Sequence, residues 1–232
     1  SKSLDGETHW SGTWNKWGGW YYTGDYSKYP VFEPFHKTYY TTNVYGTYSY
    51  WDVYFNGGDP FGFVPEYTQS NPWQGWCTDP RYLGPGSTVH VDVYSCFDPD
   101  MPDYAKSNNW DLISFMINER RNPTPGGPFA GVNWAVNSNK QAFQDAVWYF
   151  KYGPEDPWSA TLADDTWYVN LSDGSLAEQF ADYAIANGEG YYPQDGQWYA
   201  AILFPVYPFG YLSNRTPYLP EGFQMNIVEV DP

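Results

Sequence analysis

Apolar and polar residues alternate along several stretches of the chain, which is the pattern of a β-strand with one buried face. In residues 88–94, valines occupy every second position and are separated by His90 and Asp92. Further strands are predicted from Tyr- and Thr-rich or alternating sequence at 39–42, 44–50, 197–204 and 222–230. The pattern therefore predicts a domain that is rich in β-structure.

The middle of the chain changes to the spacing of amphipathic helices. Helices are predicted at 110–117, 140–151 and 174–187. Asn109 stands before the first as a candidate N-cap, and Asp173 and Gly188 stand at the two ends of the third. We expect a mainly β fold, a β-sandwich or barrel with an inserted helical subdomain.

The predicted elements fit one unit over residues 1–232, a length that supports a single large domain. Within it we expect an aromatic-rich β segment at 1–75, a β segment at 76–107, a mostly helical insertion at 108–190 and closing β strands at 191–232.

The composition of the chain argues against nucleic-acid binding and against insertion into a membrane. The formal net charge is −16, and such a surface repels the phosphates of nucleic acids. There is no apolar run of the length that crosses a membrane, so membrane insertion is not expected. The residues from Ser1 resemble a mature terminus after cleavage, and we expect a secreted, cell-surface protein. Asn170 and Asn214 begin sequons for N-glycosylation.

The sequence carries no fingerprint of a cofactor or of an enzyme, and neither is expected. The three histidines show no metal-ligand spacing. Asp98, Asp100 and Asp103 form a weak candidate calcium site, although a solvated acidic turn is the better interpretation because the pattern of a calcium-binding loop is missing.

The two cysteines, Cys77 and Cys96, allow two interpretations. In a secreted protein they form a disulfide across a hairpin. Alternatively, the Cys77 thiolate displaces ammonia from the side-chain amide of Gln144 and forms an internal thioester, a reaction that needs proximity and exclusion of water. Trp76 and Trp148 flank the two residues and are candidates for shielding the bond; Trp148 shares a helix face with Gln144.

Several short motifs resemble, in order and spacing, the thioester domains of bacterial surface proteins. They are Trp76-Cys77-Thr78-Asp79, the strand at 86–94, the helix at 110–118, Phe143-Gln144-x-x-Val147-Trp148 and the closing segment 222–228. The resemblance implies a β-sandwich with a helical subdomain, a bond between Cys77 and Gln144, and covalent capture of a partner's nucleophile, typically a lysine amine. Thr78 and Cys96 depart from the family pattern, which keeps the disulfide open.

Lys140 and Lys151 flank the glutamine motif, and the helical pattern predicts that both project away from its apolar side. We therefore expect a thioester to spare the chain's own lysines and to react with an amine on another protein or surface.

Two other function classes remain open at this level. The first is a structural subunit of an extracellular filament or surface layer, which carries the disulfide and binds copies of itself by adding the strand within 223–230 to a neighbour's sheet. The second is a carbohydrate-binding module. Its candidate contacts are the aromatic residues Trp10, Trp14, Trp17, Trp20, Tyr21 and Tyr22, for which an interface between subunits is the preferred interpretation.

Overall fold

The computed structural model describes residues 13–15, 19–21, 35–44, 50–55, 73–78, 88–102, 105–107, 109–152, 171–205 and 225–230. Its strands are β1 (Thr13–Asn15), β2 (Gly19–Tyr21), β3 (Phe35–Val44), β4 (Tyr50–Phe55), β5 (Trp73–Cys77), β6 (Thr88–Ser95), β7 (Tyr199–Pro205) and β8 (Asn226–Val230). Its helices are α1 (Trp110–Arg121), α2 (Asn137–Tyr152) and α3 (Leu176–Asn187).

Six of the strands form one antiparallel sheet in the order β3-β4-β5-β8-β7-β6, and β3 pairs with β6 as well as with β4. The alternating valines of β6 explain its place, because Val91 and Val93 are fully buried while Asp92 is only half-buried. β1 and β2 form a separate antiparallel pair.

The helices pack against each other and against strands of the sheet. α1 lies against β7, and α2 packs on α3 and reaches β4 and β5. Buried aromatic side chains take part in this packing: Phe143 of α2 lies 6.4 Å from Phe180 of α3 between ring centroids, and Phe129, in the loop before α2, stacks on Phe180 at 4.3 Å. Since α2 bridges the helical layer and the end of β5, it can bring a helix side chain to the sheet.

The coarse prediction of β-structure combined with three helices is confirmed; the sheet is antiparallel, and the helix boundaries moved by a few residues. Of the strand predicted at 44–50, residues 45–49 lie outside the described residues. The caps were predicted less well. Ser175, and not Asp173, accepts a hydrogen bond from the Glu178 N–H and begins α3. Asn109 does stand before α1, but its side chain donates to the Phe150 carbonyl oxygen at 2.8 Å and caps nothing. The division of residues 1–232 into four segments stays a prediction.

The prediction that the last strand is available to a neighbouring molecule is wrong. β8 pairs with β5 on one side and with β7 on the other, so its hydrogen-bonding groups are already used. All five of its residues are buried. Assembly with copies of this chain stays a prediction, but β8 does not provide its route.

None of the helices in the described part of the chain has the length and apolar character required to cross a membrane.

Candidate functional site

The structure brings Cys77, the last residue of β5, into direct contact with Gln144 in the middle of α2. The Cys77 main-chain N–H donates a hydrogen bond to Gln144 Oε1 at 2.8 Å. Gln144 Nε2 donates to the Cys77 main-chain oxygen at 2.6 Å. The two residues are 67 positions apart in the sequence, and the pair joins the end of the sheet to the helical layer.

The orientation of this carboxamide is determined by its partners, because a main-chain N–H only donates and a main-chain carbonyl only accepts. The described pairing of β4 with β5 ends at Tyr50 and Trp76, one residue before Cys77. On the other side of β5, the Thr78 N–H bonds to the Met225 oxygen on the approach to β8. The Gln144 side chain therefore bonds to Cys77 as the peptide group of a neighbouring strand would.

The surroundings of the pair exclude water. Cys77, Gln144 and Trp76 are all 0% exposed. The indole of Trp76 lies against Phe143, the residue before Gln144, with a centroid distance of 4.5 Å. Trp148, one helical turn after Gln144, is 1% exposed. The two tryptophans singled out from the sequence are thus buried on the elements that carry the pair.

A carboxylate that the sequence analysis missed lies beside Trp76. Glu229 of β8 is fully buried and accepts a hydrogen bond from Trp76 Nε1 at 2.8 Å. It also pairs with Arg120 at 2.6 Å and with Arg121, both in the last turn of α1. An acidic residue in a strand usually faces solvent, so only the basic last turn of α1 hinted at a buried partner.

The arginines that hold Glu229 also contact tryptophan rings. The Arg120 guanidinium lies between Trp76 and Trp134, 5.3 Å and 5.0 Å from their centroids. Burial lowers the pKa of Arg120, and the charge of Glu229 opposes that effect. Glu229 and the two arginines thus form a buried ionic cluster between β8 and the end of α1.

The second cysteine occupies a different environment. Cys96 follows β6 and its sulfur lies 3.3 Å from the Ser114 hydroxyl on α1. Burial raises the pKa of this thiol well above its usual range, which makes it a poor nucleophile. No disulfide joins the two cysteines in the structure, and the strands β8 and β7 lie between β5 and β6 in the sheet. The disulfide between Cys77 and Cys96 stays a prediction.

Gln141, one turn before Gln144, is not directed to Cys77. Its amide donates to the carboxylate of Asp145 at 2.6 Å, an ordinary contact between residues four apart on a helix. Burial raises the pKa of Asp145 to about 6, and the hydrogen bond from Gln141 partly opposes the rise. Of the two glutamines at this end of α2, Gln144 is the one that meets the cysteine.

The prediction that both flanking lysines project away from the apolar side is wrong. Lys151 is 5% exposed and its ammonium donates to the Lys106 carbonyl oxygen at 3.0 Å. Lys140 is half-buried, with its ammonium 5.4 Å from the centroid of the Tyr50 ring. Burial lowers the pKa of Lys140, while Asp52 acts in the opposite direction.

The remaining predicted site residues lie away from this contact or outside the described residues. Asp98 accepts a hydrogen bond from the Asp100 N–H at 2.8 Å, as in an acidic turn. Asp103 lies outside the described residues, and within them no group of three histidine, cysteine or acidic side chains is placed to hold a metal ion. Asn170, Asn214 and the side chains of the N-terminal aromatic group are also outside what the structure describes.

Comparison of the chain with protein-family models, with curated proteins and with solved structures finds no match.

Proposed function

We propose that this protein forms an internal thioester between Cys77 and Gln144 and uses it to attach covalently to an amine on a partner. The contact between the Gln144 carboxamide and the Cys77 main chain carries this proposal. Two residues that the sequence resemblance pairs are in hydrogen-bonding contact, and Gln141, the other glutamine nearby, is not.

The geometry suits attack of the thiol on the amide. The two hydrogen bonds hold the Gln144 carboxamide beside the Cys77 main chain. In this proposal, rotation of the Cys77 side chain about its Cα–Cβ bond brings the sulfur to the carboxamide carbon. The Cys77 N–H already bonds to Oε1, the atom on which negative charge develops during attack. The sulfur–carbon bond forms, the carbon–nitrogen bond breaks, and the thiol proton leaves with the nitrogen as ammonia.

Burial supports a bond that persists once it has formed. A thioester hydrolyses in water, but Cys77 and Gln144 are both fully buried and are therefore kept from water. The same burial means that a large nucleophile reaches the bond only after a neighbouring side chain or segment has moved. The protein in this proposal is therefore inert at rest and reacts when a partner opens the site.

The biological role that follows is adhesion outside the cell. An amine on a protein or surface attacks the thioester carbonyl, an amide forms with Gln144, and the Cys77 thiol is released. Each molecule reacts once, so the protein is not an enzyme and needs no cofactor. The acidic, aromatic-rich composition supports a secreted protein that stays soluble until it meets its partner.

We also propose that the sheet is a barrel and not a sandwich. In support, each of its six strands pairs with two others, and the order returns from β6 to β3. A ring of this kind leaves no edge strand among the six.

Matched variants test the proposed bond. The purified protein is denatured and its thiols are labelled with a maleimide, which reacts with thiols and leaves a thioester intact during brief exposure. We expect labelling at Cys96 alone in the native sequence, and at both cysteines in Gln144→Glu. Gln141→Glu serves as the control and keeps the labelling of the native sequence. Labelling of both cysteines in all three proteins would exclude the thioester.

A further inference from the structure

A fully buried carboxylate with three donors connects three of the elements around the reactive pair. Glu229 belongs to β8, Trp76 to β5, and the two arginines to α1. Removing a carboxylate from water is costly unless it is paired and hydrogen-bonded, and here the arginines supply the charge. The two arginines already compensate the charge of the Glu229 carboxylate. The hydrogen bond from Trp76 is therefore not needed for charge compensation, and its effect is to fix the direction of the indole.

Two contacts between β5 and α2 stand side by side in the sequence. Trp76 packs on Phe143, and the next residue of each element forms the Cys77–Gln144 pair. A change in the orientation of the Trp76 ring therefore displaces Phe143 and with it the neighbouring carboxamide. The indole has a single N–H, and a hydrogen bond from it selects one orientation of the ring over its flipped alternative.

We propose that Glu229 is a positioning residue for thioester formation: it fixes the Trp76 ring and so aligns the Gln144 carboxamide with Cys77. This inference rests on the proposed function. Reactions between groups already in contact depend steeply on alignment, and a misplacement of about 1 Å costs on the order of a hundredfold in rate. Glu229 touches neither reacting atom, so its effect passes entirely through the tryptophan.

The chain offers a matched pair of substitutions. Trp76→Phe removes the indole N–H and leaves both ion pairs of Glu229 in place. Trp134→Phe makes the same change at the other ring that contacts Arg120 and also lies near Phe143, at 5.9 Å, but has no bond to Glu229. Glu229→Gln is a third variant, and the combination of Trp76→Phe with Glu229→Gln is the fourth.

The experiment measures the rate of thioester formation in folded protein. Ammonia in excess converts the thioester back to the thiol and the glutamine amide; after its removal, the loss of one ammonia is followed by intact mass. We expect Trp76→Phe to slow this step by roughly tenfold or more, and Trp134→Phe to change it by less than about twofold. All rates are compared well below the melting temperature of each variant.

Non-additivity separates positioning from stability. If Glu229 acts through Trp76, the variant with both changes is no slower than the slower single variant. A purely structural role lowers the melting temperature and leaves the rate unchanged, and that result, or additive slowing, would overturn the inference. If Glu229→Gln does not fold, a rate in Trp76→Phe no lower than that in Trp134→Phe still overturns the inference. A native chain that never loses ammonia contradicts the proposed function itself.

Discussion

At the scale of single residues, Gln144 has a structural role in the chain before any thioester forms, while its side-chain amide is intact. It supplies both partners for the main-chain groups of Cys77. Buried main-chain groups without partners are costly, so a glutamine at this position is needed for stability as well as for chemistry.

Removing the Gln144 side chain should cause a measurable loss of stability. In a Cys77→Ala background, where no thioester forms, Gln144→Ala removes both of its hydrogen bonds to the buried main chain of residue 77. We expect the free energy of unfolding to fall by about 2–6 kcal/mol, from about 1–3 kcal/mol for each of the two groups. Denaturant unfolding measures it. Gln141→Ala in the same background is the control, with a change of about 0.5 kcal/mol or less. Equal losses in the two variants would contradict this role for Gln144.

Asp145 predicts a dependence of stability on pH. Its folded pKa of about 6 lies above the unfolded value. The folded state therefore binds more protons between about pH 4 and pH 6, and stability falls as the pH rises through that range. Asp145→Asn removes this cost. We expect the variant to gain about 1–2 kcal/mol over the native sequence at pH 7, a value discounted because the carboxyl group is only partly buried.

The gain of Asp145→Asn disappears below about pH 3, where the native carboxyl group is protonated in both states. Unfolding curves of the two proteins at both pH values test this. A gain of the same size at both would mean that the substitution acts through packing and not through the charge.

At the scale of elements, the sequence predicts those helices and strands whose apolar residues recur at a regular local spacing. α2 was recognised because its apolar residues recur at helical spacing, and β6 because its valines alternate. The start of α3 was placed two residues early, because Asp173 and Ser175 are both good N-cap residues and only the hydrogen bond to Glu178 distinguishes them. Local pattern does not contain that information.

The pairing of strands could not be predicted from local pattern either, because it depends on contacts between separate segments of the chain. β8 was taken for a strand able to pair with another molecule, but its partners are β5 and β7, which are distant in the sequence. Glu229 was overlooked because its burial depends on arginines 109 and 108 positions away. The Cys77–Gln144 contact is equally non-local, and only the order of short motifs pointed to it.

The position of β8 predicts the effect of truncation. Ending the chain before Asn226 removes a strand that pairs on both sides and also removes Glu229, which leaves Arg120 buried without its partner. We expect the truncated chain not to fold, as judged by the loss of a cooperative thermal transition. A truncated chain that melts cooperatively near the native temperature would show that β8 is peripheral.

At the scale of the whole molecule, the sheet and the helices meet around the proposed bond. β5 carries Cys77, α2 carries Gln144, and β8 and α1 hold Trp76 between them through Glu229 and Arg120. The described fold thus places the pair where four elements limit its motion and exclude water. In the proposed function, this burial protects the thioester and delays its reaction until a partner disturbs the surroundings.

The intact mass of the purified protein tests the central claim most directly. We expect the chain to be lighter than its sequence by one ammonia, and to gain one methylamine at Gln144 when it is unfolded in the presence of that amine. Gln144→Glu should show neither change. A native chain at its full reduced mass that does not react with methylamine would contradict the thioester, as would a chain lighter by two hydrogens whose mass a reductant restores.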